Sequence, residues 1–65
     1  MTTYEVLLDG RTVRICRLWA DVIDAARASG WMASAVQRKV NPDGTSESLY
    51  IDPHMIEQDY RERGE

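Results

Sequence analysis

One helix with a hairpin signal on each side of it limits this chain more than any other feature. Residues 18–30, LWADVIDAARASG, read as the only full-length helix. Leu18, Val22, Ala25, Ala26 and Ser29 keep helical spacing, and Trp19, Ile23 and Ala26 form a neighbouring row. Asp21, Asp24 and Arg27 fall on the other side. Gly30 is the residue best able to take the left-handed conformation that closes a helix. No Ser, Thr, Asp or Asn directly precedes Leu18, so the start lacks a side-chain cap, although Asp21 suits the positive end of the helix dipole.

Upstream, residues 4–8 and 12–16 flank Asp9-Gly10, the dipeptide favoured in a two-residue type I′ hairpin. A regular register pairs Leu8 with Arg11, Val6 with Val13 and Tyr4 with Ile15 on one face, expected to be the core face. It sets Glu5 opposite Arg14 and Leu7 opposite Thr12 on the other face, where Cys16 would also lie. Downstream, residues 31–40 run into Asn41-Pro42-Asp43-Gly44, which predicts a type I turn with a glycine bulge, and residues 45–51 return as a strand. Pairing Asn41 with Thr45 brings Lys39 against Glu47 and Val36 against Tyr50. Two sets compete for the buried face of this hairpin: Met32, Val36, Val40 and Tyr50, or Ala33, Ala35, Leu49 and Ile51. Partial cover of both faces is expected.

Asp52-Pro53 is a strong helix start, with the aspartate as N-cap and proline at the first helical position. Met55, Ile56 and Tyr60 then give a short apolar stripe, too short to hold a helix unless it docks on something. The predicted fold class is α+β in the order β-β-α-β-β-α. It is a single domain over 1–65, with a hairpin at 4–16, a helix at 18–30, a hairpin at 31–51 and a C-terminal helix at 53–62. Its four-stranded antiparallel sheet would pack on one main helix. The far face of the sheet would need polar residues or a cover, from the C-terminal helix or from another chain.

At 65 residues, a core this small makes a homodimer a live expectation, because association would bury more apolar surface. The lone Cys16 can form no intramolecular disulfide, and with His54 it is too little for a metal site; a small buried or half-buried strand residue is the expected role. No basic-then-apolar leader precedes the first strand and no apolar run approaches a membrane span, which gives a cytoplasmic expectation with no membrane partner. The net charge of −3 is uneven. Residues 1–40 hold six Lys/Arg against four acids, and residues 41–65 hold two against seven. The halves are expected to pair in the fold, or the acidic half to face a basic partner.

Catalysis is not expected. The glycines sit as turn and cap residues rather than as a nucleotide loop, and no elbow motif surrounds Ser29, Ser34, Ser46 or Ser48. Asp21/Asp24 and Glu57/Asp59 read as solvated helix surface, His54 as an exposed first-turn residue, and no cofactor or metal is implied. A dimeric nucleic-acid-binding regulator is the alternative: Arg11, Arg14 and Arg17 with Arg38 and Lys39 would form a basic strip if their strands were neighbours. Against it stand a pI near 5.0 and the acids placed beside two of those bases. A spacing of three also sends successive arginines to opposite strand faces.

The acids Asp43, Glu47, Asp52, Glu57, Asp59, Glu62 and Glu65 support the opposite idea, a binder of another protein, with Trp31, Tyr50, Glu57, Asp59 and Tyr60 as candidate contacts. A purely structural homo-oligomer is a third expectation. Strand, DG turn, strand and an alanine-rich helix ending in glycine (VLLDGRTVRI, then VIDAARASG) resemble small orphan proteins of phages and mobile elements, several anti-CRISPR proteins among them. The resemblance covers the first half by architecture. It implies a single α+β domain that inhibits a host machine by occupying its surface, and it assigns no functional residue.

Overall fold

Both turn signals close the hairpins they spell. In the computed structural model, which describes residues 1–64, β1 (Thr2–Leu8) turns into β2 (Arg11–Cys16) through Asp9 and Gly10. Their φ values of 53° and 77° are the left-handed pair a type I′ turn requires. β3 (Ser34–Val40) returns as β4 (Ser46–Ile51), with the Asn41 amide donating to the Thr45 carbonyl at 2.8 Å. Asp43 accepts from the Thr45 amide and hydroxyl, and these two bonds hold its carboxyl below the usual range. Lys39 lies opposite Glu47 and Val36 opposite Tyr50, as the spacing predicts.

The elements follow one another as β-β-α-β-β-α, and one antiparallel sheet of order β2-β1-β3-β4 carries all four strands. The fold is α+β. Helix α1 (Trp19–Ala28) buries Val22, Ile23 and Ala26, and helix α2 (Pro53–Glu62) buries Ile56. These side chains form one core with Val6, Cys16, Ala33, Ala35 and Ile51. Val6, Ala35 and Ile51 lie side by side across three strands, so both helices rest on the same face of the sheet. The Cα envelope, 37 × 27 × 15 Å, is that of a two-layer plate.

The first hairpin departs from its expected register. Leu8 pairs with Arg11 and Leu7 with Thr12, but Val6 then pairs with Arg14, Glu5 with Ile15 and Tyr4 with Cys16. Val13 is the extra residue of a β-bulge, and every residue after it changes face. Val13 and Ile15, expected in the core, are therefore exposed, and Cys16, which the regular register sets on the far face, turns to the core. Glu5 does not meet Arg14; it pairs with Arg38 at 3.3 Å.

Helix α1 is shorter than 18–30 at both ends. Leu18 is its N-cap, extended at φ −108° with no side-chain cap, and it is 64% exposed rather than part of the apolar stripe. Ser at this position would accept the orphan N–H of the first turn, so Leu18→Ser is expected to raise stability by about 0.5–1 kcal/mol in urea unfolding.

The other end closes as a Schellman motif. The Gly30 amide donates to the Arg27 carbonyl at 3.0 Å and the Trp31 amide to that of Ala26 at 2.8 Å. Ser29 Oγ donates to the Ala26 carbonyl and accepts from the amides of Met32 and Ala33. Residues 31–33 are thus spent on helix closure, which is why β3 begins at Ser34 and not at Trp31. In the second hairpin Ala33, Ala35 and Ile51 are buried, while Met32, Val40, Leu49 and Tyr50 are exposed. α2 follows its prediction: the Asp52 carboxylate accepts from the Met55 amide at 2.8 Å, with Pro53 at the first position.

Candidate protein-binding face

Because α1 and α2 share one side, the opposite face of the sheet carries no covering layer among the described residues. The C-terminal helix does not supply one. Strand alternation and the bulge decide what this face shows. Ile15, Glu5, Val36 and Tyr50 form one row across four strands, and Thr3, Arg38 and Ser48 form the next. Ile15 is 67% exposed and Tyr50 61%. Exposed Val40 and half-buried Leu7 lie on the same side, with Val13 at the bulge. Glu5 and Arg38 neutralise each other in the middle of it. Four strands about 4.8 Å apart and six residues long give a face of roughly 20 by 15 Å, on which Ile15, Val36 and Tyr50 share the surface with Thr3, Glu5, Arg38 and Ser48.

The five candidate contacts from sequence do not assemble into one surface. Tyr50 lies on the open face. Trp31, Asp59 and Tyr60 gather instead at the seam between α1 and α2. There the Trp31 ring lies 5.1 Å from that of Tyr60, and the Arg27 guanidinium stands 5.2 Å from the Tyr60 centroid. Trp31 holds a left-handed φ of 66°, and its packing against Tyr60 and the core offsets that strain. Asp59 accepts from Trp19 Nε1 at 2.6 Å and from Arg63 Nε at 2.7 Å. Glu57 pairs with Arg61 at 2.7 Å on the surface of α2.

These bonds, led by that from Trp19, hold the Asp59 carboxyl below its usual range. A carboxylate lowered by folding contributes stability at neutral pH, which falls away as pH drops through the ordinary value near 3.9 and below. In a Trp31→Phe background, Trp19 emission is expected to change over that acid range, and Asp59→Asn to abolish the transition while leaving other acid transitions in place.

No family model, curated protein or solved structure matches this chain.

The acids of the second half have mostly local partners. Asp43 holds a turn, Asp52 caps a helix, Glu62 accepts from Gln58, and Glu57 and Asp59 pair along their own helix. Glu65 lies outside the described residues. Each ion pair among the described residues joins partners of the same half; across the halves, Lys39 lies opposite Glu47 without a direct ion pair.

The basic candidates are divided as well. Arg11 and Arg14 are on β2 and Arg17 follows it, Arg38 and Lys39 are on β3, and β1 runs between the two strands. Arg38 is engaged by Glu5. Cys16 is buried, which pushes its thiol up, whereas His54 is exposed on the first turn of α2. No group of three or more His, Cys, Asp or Glu that could hold a metal occurs among the described residues, and no helix there is long and apolar enough to cross a membrane.

Sequence reasoning missed Ile15 and Val13 as surface residues. Their apolar character and the tidy alternation after Asp9-Gly10 argue for the core, and a bulge leaves no composition signal unless glycine marks it. The one hint is Cys16, a residue type that prefers burial, which the regular register would have set on the far face.

Proposed function

We propose that this chain is a small non-catalytic protein-binding module that works through the open face of its sheet. The observation that carries the reading is the row of Ile15, Val36 and Tyr50 on a face with no covering layer. Apolar surface held flat on a hydrogen-bonded sheet is pre-organised, so a partner would not have to be matched by ordering a loop. The central Glu5–Arg38 pair leaves the face near neutral and favours a partner patch that is apolar with little net charge. Tyr50 is the natural anchor, since tyrosine is enriched among the few residues that carry most of an interface's binding energy. The finer reading, an inhibitor encoded by a phage or mobile element that occupies a host machine, draws its support from the resemblance of the first half and would use this face.

Affinity capture from host lysate, compared between wild type and Ile15→Lys/Tyr50→Ser, tests it. A partner that the wild type retains saturably, that the double variant loses, and that Leu18→Ser still binds is the expected result. Retention on DNA that Arg14→Ala and Arg38→Ala abolish, with no protein partner sensitive to Ile15 and Tyr50, would replace this reading with the nucleic-acid one.

A further inference from the structure

The two edges of the sheet are built differently. In an antiparallel ladder, residues of a hydrogen-bonded pair turn their N–H and C=O toward each other, and the next residues turn theirs away. The Asn41–Thr45 bond fixes that phase for the second hairpin. Glu47, Leu49 and Ile51 therefore direct their peptide groups at β3. Ser46, Ser48 and Tyr50 direct theirs off the edge. The far side of β3 agrees, since Val40 exchanges both of its backbone bonds with Met1.

At the other edge, β2 is interrupted by the Val13 bulge and carries Arg11 and Arg14, devices that discourage strand addition. β4 has neither. Its register against β3 is unbroken, it contains no proline, Glu47 is its one charge, and every residue but Ile51 is exposed. It offers three complete donor–acceptor units in a row.

We infer that β4 pairs antiparallel with β4 of a second copy of this chain, about a two-fold axis through Ser48, to make a continuous eight-stranded sheet. A self-complementary register argues for a second copy over a foreign strand. With the axis at Ser48, Ser48 faces Ser48 and Ser46 faces Tyr50, so all three outward units are matched. An axis at Glu47 or Leu49 matches only two, and an axis at Glu47 also sets two carboxylates face to face. With the axis at Ser48, Glu47 faces Leu49 instead. An axis passing through a residue keeps the helices of both copies on one side. The exposed Leu49 side chains then meet diagonally beneath the sheet, and each Tyr50 lies over the small Ser46 of the other copy. The two open faces join into one surface of double width. This pairing stands independently of the protein-binding reading.

Sedimentation equilibrium over a micromolar to submillimolar range tests it. The expected mass is twice the 7.4 kDa protomer at the upper concentrations. Ser48→Pro removes an N–H that the sheet itself does not use, and is expected to keep the circular dichroism of the wild type while weakening association about tenfold or more. Should that variant unfold, Ser48→Cys in a Cys16→Ala background supplies the second measurement: a short bis-maleimide is expected to cross-link it as a dimer, with Thr12→Cys on the β2 edge as the control that does not. A wild type monomeric throughout overturns the pairing. So does a dimer that Ile15→Lys dissociates while Ser48→Cys fails to cross-link, because the open faces would then be stacked on each other.

Discussion

Replacing Ile56 by alanine is expected to lower stability by about 2–4 kcal/mol, the range seen when a large side chain is removed from a packed core. Ile56 has no exposed surface and is the only buried residue of α2. Without it the helix keeps an N-cap, an aromatic contact through Tyr60 and the Trp19–Asp59 bond, but no fully buried side chain. A domain of 65 residues holds about 3–10 kcal/mol in total, so the variant loses a large share of what keeps it folded. Urea unfolding followed by circular dichroism is expected to show a lower midpoint at unchanged slope. The adjacent Met55 is the control. It is 48% exposed, and Met55→Ala is expected to cost less than about 1 kcal/mol. An Ile56→Ala midpoint no lower than that of Met55→Ala would mean that α2 is not held by the core.

How much of this architecture was readable in the chain depends on how local each signal is. Asp9-Gly10, Asn41-Pro42-Asp43-Gly44 and Asp52-Pro53 act within a few residues, through φ preferences and short side-chain bonds, and each turn or cap forms where it is spelled. The β-β-α-β-β-α order followed from them. The closing turn of α1 was legible only in part: Gly30 was readable as a cap, but not the Ser29 bonds that take up residues 31–33. Which side of the sheet receives α2 is a tertiary matter. Ile56, Tyr60 and Trp31 decide it jointly, and no local pattern in any one of them reveals the choice. The candidate site was the least legible. Aromatic and acidic residues were readable as contact chemistry, yet Trp31, Tyr60 and Asp59 serve the helix seam, and only Tyr50 reaches the open face.

The same single residue, Val13, that hid the open face also makes the sharpest test of the fold. A regular first hairpin and a bulged one assign Ile15 and Cys16 to opposite sides, so the two variants exchange their costs. With the bulge, Ile15→Lys places a cation on the open face directly across from Glu5 and is expected to change stability by less than about 0.5 kcal/mol. Cys16→Asp puts a carboxylate at a core position 8% exposed, with Asp21 near enough to act on the native thiol. Desolvation is the largest effect there, opposed in part by the Arg14 charge and reinforced by that of Asp21, and a loss of about 2 kcal/mol or more is expected. A regular ladder would reverse the order, making Ile15→Lys the disruptive change. Chemical unfolding of the pair, with Ala35→Asp as a buried reference on the neighbouring strand, separates the cases in one experiment. Ile15→Lys also enters the binding test, where a stable variant that has lost a partner locates the contact on the open face.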